Sequence, residues 1–194
     1  MENNFLETIV KTDEKVLIFL NNLGGESWDA FWLFITKQLH WTPFFILILI
    51  LIYLKFGLKK TVFTLLFLIV LIALSDQITN LMKILVGRKR PCNTEHMQEF
   101  LRQFKYKPGG KSFWSGHAFV STTFTVFTIL LLRPYYKFAF FLLIFPMLFG
   151  YSRIYLGVHY PVDVFTGYVM GVLFGMLFYK AYQVIFGKVF NKEE

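Results

Sequence analysis

Long apolar runs leave this chain few ways to fold. Thr61–Leu85 and Pro161–Ile185 each carry only two charged residues. At about 1.5 Å per helical residue, either run can cross roughly 30 Å of hydrocarbon. Three more stretches read the same way: Trp28–Leu54, Ser115–Leu132 and Phe138–Ile154. The first of these is interrupted by Lys37, Gln38 and His40 and is open to a kink at Thr42-Pro43. Of the 194 residues 56% are hydrophobic and 16% charged, where an ordinary soluble domain has about 25% charged. A soluble protein of this length has too little interior to bury so much apolar surface. The expectation is all-α: a polytopic transmembrane helical bundle of five spans, or six if Phe5–Leu20 also crosses.

Residues 4–20 mix Phe5, Leu6, Ile9, Val16, Leu17 and Leu20 with Glu7, Lys11, Asp13, Glu14 and Lys15. This predicts an amphipathic helix lying in the membrane interface. The chain therefore divides into an N-terminal interfacial segment, 1–26, and a membrane domain, 27–194. Lys55–Lys60 and Arg133–Lys137 are short basic turns, and Val86–Lys111 is the one long loop. Cys92 stands alone, which excludes an internal disulfide and a cysteine-based metal site. A net charge of +8 suits anionic headgroups or phosphates. The cations are not gathered on a soluble basic helix, so nucleic acid is not an expected partner.

Three short polar segments break the apolar pattern. Lys83 and Arg90-Pro91 lie where the second span ends, and Ser115-Gly116-His117 where the third begins. Ser152-Arg153 closes the fourth span, and His159 and Asp163 open the fifth. Five crossings put all three segments on one side of the membrane. Lysine offers a point charge, and arginine a planar fork suited to phosphate oxygens. A helix start such as Ser115 has free N–H groups and partial positive charge, and Gly116 lets a ligand approach the backbone. Asp163, about one turn beyond His159, can fix the histidine tautomer and steady its positive charge.

Each segment also has a plainer reading. Lys83, Arg88, Lys89 and Arg90 form a stop-transfer cluster; Ser115 is an N-cap beside an interfacial His117; Arg153 and Asp163 make a surface ion pair. None of these explains two histidines at helix starts on one face. Asp76, Asn80 and Lys83 share a helical face, so Asp76 and Asn80 are expected to support a motif cation or to make polar contact between helices. Gly167, Gly171 and Gly175 form a small-residue stripe for close packing inside the bundle or for dimerisation. The chain has no HExxH, Cys pair or Gly-Lys-Ser/Thr loop, so neither zinc nor a P-loop nucleotide is expected.

With the three segments in order, the chain resembles the type 2 phosphatidic acid phosphatase superfamily, which also includes vanadium haloperoxidases and glucose-6-phosphatase. The family pattern is Lys-x6-Arg-Pro, Pro-Ser-Gly-His and Ser-Arg-x5-His-x3-Asp. It is matched by Lys83 to Pro91, Ser115 to His117, and Ser152 to Asp163, within about residues 60–185. Trp114 stands at the family's proline, where it is expected to reshape the approach to the site or to supply an interfacial aromatic. The resemblance implies a membrane phosphatase that needs no metal or other cofactor. It implies His159 as a nucleophile forming a phosphohistidine, Asp163 as its orienting group, and His117 as the acid that protonates the leaving oxygen. Lys83, Arg90, Ser115, Gly116, Ser152 and Arg153 would hold the phosphoryl group.

The implied substrate is a lipid phosphate or diphosphate: undecaprenyl diphosphate, phosphatidylglycerophosphate, phosphatidic acid or lipid A. His96, Arg102, Lys105, Lys107 and Lys111 of the long loop are candidates for touching a headgroup. One alternative is a phosphotransferase using the same histidine; another is a non-catalytic carrier of lipid phosphate or anions. A carrier would need charge between the two faces, whereas these polar residues cluster at one end. Similar small enzymes sit in the bacterial cytoplasmic membrane with the site toward the periplasm or exterior. The opposite face carries Lys55, Lys59, Lys60, Arg133, Lys137, Lys188 and Lys192, as the positive-inside rule expects of a cytoplasmic side. The motif face carries more, so charge alone assigns no side.

Overall fold

One glycine folds the longest helical stretch back on itself. In the computed structural model, which describes residues 2–190, α3 (Thr42–Val86) is helical except at Gly57, with φ 71° and ψ 176°. A side chain strains such a backbone, and glycine does not. Ile48 and Ile52 share a buried cluster with Leu68 and Leu71, and Phe45 and Ile69 line one cavity. In a straight helix Phe45 and Ile69 would lie roughly 36 Å apart, so the limbs 42–56 and 58–86 form an antiparallel hairpin. The basic turn expected at Lys55–Lys60 is thus a reversal at a single residue.

Around the hairpin lie α1 (Glu2–Asn22), α2 (Asp29–Ile35), α4 (Glu95–Gln98), α5 (Gly116–Leu132), α6 (Ile144–Tyr155) and α7 (Pro161–Phe190). Among the described residues there is no strand, only an isolated bridge between Lys89 and Lys111. The side chain of Leu6 and the residue Lys192 lie outside the described residues. Two helical stretches, 38–86 and Pro161–Phe190, are long and apolar enough to cross a membrane, while Gly116–Leu132 and Ala139–Tyr155 are shorter apolar helices. Outward faces expose apolar side chains such as Leu66, Leu85, Phe165 and Leu177, a surface suited to lipid.

The run Trp28–Leu54 is not one helix. α2 ends at Ile35, Lys37 is extended, a 3-10 turn spans Gln38–Trp41, and α3 begins at Thr42. Pro43 sits in the first turn of α3, where its missing N–H costs nothing. The break expected at Lys37 to His40 ends one helix, and the proline starts the next instead of kinking it. Ser115 does cap α5: its Oγ accepts from the Ala118 N–H at 3.5 Å.

α5 and α7 are in contact along their length, and the glycine stripe is the reason. A Cβ on Gly167 would lie 2.9 Å from Ala118 Cβ, one on Gly171 2.6 Å from Thr122 Cβ, and one on Gly175 2.7 Å from Val126 Cβ. The stripe therefore serves packing inside the bundle. Gly171→Val should cost about 1–3 kcal/mol by overpacking, read as a lower thermal midpoint in detergent. An unchanged midpoint would mean that the two helices part without penalty.

α1 is built into the bundle. Asp13, Leu17 and Asn21, four residues apart, form its buried face against α6 and α7. Asn21 donates to the Tyr155 carbonyl at 2.6 Å and accepts from the Arg102 N–H at 2.8 Å. The surrounding Glu7, Lys11 and Lys15 stay exposed.

Candidate active site

Backbone bonds join the three motifs. After α3 ends in left-handed Gly87, Arg90 is extended and the Cys92 N–H donates to the Gly157 carbonyl at 3.0 Å. This ties the first motif to the loop that carries His159. The Ser115 N–H donates to the Asp163 carbonyl at 3.0 Å, which ties the second motif to the third. Lys83, at the end of α3, points back to the start of α5: its Nζ would be 3.9 Å from a Cβ on Gly116.

The result is a cavity of about 700 Å³ whose wall includes Lys83, Arg90, Gly116, His117, Arg153 and His159. Arg90, Arg153 and His159 are buried, each less than a tenth exposed. Arg90 donates from Nε to the Gly109 carbonyl at 3.0 Å and from Nη1 to the Val158 carbonyl at 3.1 Å. The same Nη1 lies 3.0 Å from His159 Nε2. A guanidinium only donates, so Nε2 is the acceptor and the ring proton sits on Nδ1. Nδ1 faces Asp163 Oδ2 at 3.5 Å, within ion-pair range but without hydrogen-bond geometry. Burial, followed by the charges of Arg90, Arg153 and Lys83, holds the His159 pKa well below its ordinary value. The ring is therefore neutral at neutral pH, with its Nε2 lone pair turned toward the cations.

Arg153 donates from Nη1 to Thr36 Oγ1 at 2.6 Å and from Nη2 to the Tyr106 hydroxyl at 3.3 Å, and its Nε has no protein partner. His117 is half-buried and stacks on Phe149, with ring centroids 4.4 Å apart. Beyond the polar end the wall turns apolar, with Phe45, Ile69, Ile72, Val120, Phe124 and Phe145. A phosphate ester carrying an apolar chain matches both ends.

A family model described as the PAP2 superfamily matches residues 62–186, more than half of the chain. The chain belongs to the PAP2 superfamily. The lipid A 4'-phosphatase of Bacteroides thetaiotaomicron is 31% identical over 177 residues, covering 90% of this chain and 78% of that protein. Two crystal structures share the fold. A transmembrane PAP2-type phosphatidylglycerolphosphate phosphatase from Bacillus subtilis has TM-score 0.71 at 17% identity, covering 92% of this chain and 88% of its own. Aquifex aeolicus LpxE has TM-score 0.63 at 24% identity, covering 86% and 93%. This PAP2 protein is a phosphatase.

Within the PAP2 site some residues expected to meet a phosphate stand off the cavity. Ser152 is fully buried, and its Oγ donates to the Phe149 carbonyl at 2.7 Å within its own helix. Its hydroxyl is therefore spent on the backbone, against the expectation of phosphoryl contact. Ser115 is also fully buried, and its Oγ caps α5 by accepting from the Ala118 N–H. Trp114, 4% exposed and packed on Phe119 at 5.0 Å, is a core residue and neither reshapes the approach nor anchors an interface. The Phe113–Trp114 peptide bond is cis.

Asp76 lines the cavity with Lys83 and accepts from Asn80 at 3.1 Å. Arg102 is committed elsewhere, to Asp29 at 2.6 Å and the Tyr155 hydroxyl at 2.7 Å, and His96 pairs with Glu14 at 3.0 Å. Besides Arg90, Tyr106 and Pro108 of the long loop reach the wall. Sequence reasoning missed Thr36 and Tyr106 as partners of Arg153, and Arg88 and Asp13 behind Asp163. An arginine two residues before the motif arginine was the one available hint. Among the described residues no group of three or more His, Cys, Asp or Glu is placed to hold a metal ion.

Proposed function

We propose that this chain is an integral membrane lipid phosphatase that works through a phosphohistidine on His159. One observation carries the reading: Lys83, Arg90 and Arg153 share a cavity with two imidazoles, and that cavity continues into an apolar channel. The cations would hold the phosphoryl oxygens, with the Gly116 amide at the start of α5 as a further donor. Arg90 would hand its Nη1 bond from Nε2 to a phosphoryl oxygen, freeing the lone pair. Nε2 then attacks phosphorus in line, the P–O bond to the lipid breaks, and His117 gives its proton to the leaving oxygen. In the second half a water gives a proton to His117 and attacks the phosphohistidine. The P–N bond breaks, its electron pair returns to Nε2, and inorganic phosphate leaves. Asp163 steadies Nδ1–H throughout. No step needs a metal, so EDTA should leave turnover intact while vanadate inhibits. A strict divalent-metal requirement would contradict this mechanism.

In the membrane, the two limbs of α3, then α5, residues 139–155 and α7 make five crossings, with α1 at the surface on the site's side. We place the protein in the bacterial cytoplasmic membrane with this side toward the periplasm or exterior. The chain matches a lipid A 4'-phosphatase over most of its length, so a phosphorylated glycolipid of that kind is the first substrate to test. The decisive experiment counts phosphate released by purified enzyme from lipid A, undecaprenyl diphosphate, phosphatidylglycerophosphate and phosphatidic acid. Lipid A should be turned over at least about tenfold faster than the others in kcat/KM, about 1.4 kcal/mol of discrimination. A preference for another lipid would reassign the substrate, and release from none would remove the phosphatase reading.

A further inference from the structure

Behind His159, on the side away from the cavity, two buried carboxylates share the half-buried Arg88 in an ion cluster that reaches into the N-terminal helix. Arg88 donates from Nη1 to Asp163 Oδ1 at 2.8 Å and from Nη2 to Asp13 Oδ2 at 2.6 Å. Asp13 and Asp163 are 5% and 0% exposed. The remaining Asp13 oxygen accepts the Val162 N–H at 2.9 Å, and Asp163 Oδ2 accepts the Tyr160 N–H at 3.0 Å. The guanidinium carbon lies over the Tyr160 ring, 3.7 Å from its centroid. Both carboxylates thus hold the entry to α7, Asp163 at Tyr160 and Asp13 at Val162, as well as the one arginine.

We propose that Asp13 is a positioning residue of the catalytic unit: by sharing Arg88 it keeps that cation from neutralising Asp163, and so lets Asp163 support the ring of His159. The inference rests on the reading of His159 as the nucleophile. Its basis is charge. Asp13, Arg88 and Asp163 together carry one net negative charge, and they sit on the Nδ1 side of a ring that gains positive charge as Nε2 bonds to phosphorus. With Asp13 removed, Arg88 and Asp163 cancel, and the ring is left facing Arg90, Arg153 and Lys83 alone. α1 then does two jobs, since the face that packs it on α6 and α7 also delivers this carboxylate.

The groups that bear on His159 come from every neighbouring element. They are Lys83 from α3, Arg88 and Arg90 from the following loop, His117 from α5, Arg153 from α6, Asp163 from α7 and Asp13 from α1. Glu14, paired with His96, lies further out beyond Tyr160. Deleting a negative charge from this set disfavours the imidazolium and lowers the pKa of His159. Deleting a positive charge raises it.

The test measures the acid limb of kcat/KM against pH, which reports the base in the free enzyme, for Asp13→Asn, Arg88→Gln and the double variant. Asp13→Asn should move the limb to lower pH and Arg88→Gln to higher pH, each by about half a unit or more. The double variant removes one charge of each sign, so its limb should return toward wild type. Asp13→Asn should also lower kcat about tenfold or more with little change in KM. The limb's midpoint does not depend on how much of each variant folds. Glu7→Gln removes the same charge from an exposed site on α1 and should shift nothing. Limbs that coincide for all variants, or single variants that shift the same way, would overturn the inference. His159→Ala runs alongside: full activity there would instead overturn the nucleophile itself.

Discussion

His159→Ala should abolish phosphate release, with kcat falling by about four to six orders of magnitude, the scale seen when a nucleophile is deleted. The expected size follows from what the remaining groups can do. Without Nε2, the cations still bind and polarise the phosphate, but water must attack phosphorus directly, and monoester hydrolysis in water is among the slowest reactions known. Binding should survive, because Lys83, Arg90 and Arg153 are untouched, so substrate affinity should change by less than the rate. The wild-type pH profile supplies an independent check. The His159 pKa is depressed by burial and by its three cations, so the neutral nucleophile persists as pH falls through the ordinary histidine value of about 6.5. The acid limb of kcat/KM should therefore lie below that value. A limb at or above it, in an enzyme that His159→Ala inactivates, would mean that the ring is protonated before it can attack. Trapping tests the same atom directly: acid-labile phosphate should be recovered on wild-type protein after rapid quench and be missing from His159→Ala.

The sequence exposed the polar residues that line the cavity and hid most of what holds them. Lys83, Arg90, His117, Arg153 and His159 were legible because ionisable side chains at the ends of apolar runs have no packing reason to be there. Hydropathy independently placed those ends on one side. The glycine stripe was legible for the opposite reason, since a period of four on an apolar helix has mainly packing to serve. The helix start at Thr42 was less so. A hydropathy profile runs on through Trp28–Leu54, whereas the extended Lys37 and the first-turn preference of Pro43 divide it. Asp13 could not be read. In an amphipathic pattern it looks like its neighbours Glu7, Lys11 and Glu14, and it differs only because Arg88 lies 75 residues further along the chain. Ser152 misled in the other direction. It matches the motif, yet a serine inside a helix can satisfy its own hydroxyl on a backbone carbonyl of the preceding turn, and here it does.

Arg153 separates the need for a positive charge from the need for a fork. It is 2% exposed, near the end of α6, with Nη1 bonded to Thr36 and Nη2 to Tyr106, while Nε is buried without a protein partner. Two of its nitrogens are held, so the plane of the guanidinium is fixed before any phosphate arrives, and a preorganised donor costs nothing to reorient during reaction. Arg153→Lys keeps the charge but not the plane. An ammonium cannot hold Thr36 and Tyr106 and still present a donor where Nε stands. The expected result is a fall of about 10²–10³ in kcat/KM, and Arg153→Ala should fall further. Vanadate, whose five-coordinate adduct resembles the transferring phosphoryl group, should lose affinity in parallel with kcat/KM across the series, since both report contacts to the transition state. Thr36→Val, which frees one end of the fork without touching the charge, should fall between wild type and Arg153→Lys. If Arg153→Lys retained wild-type kcat/KM, a point charge would suffice. The segment joining α2 to α3 would then be a wall of the site and not a support of its chemistry.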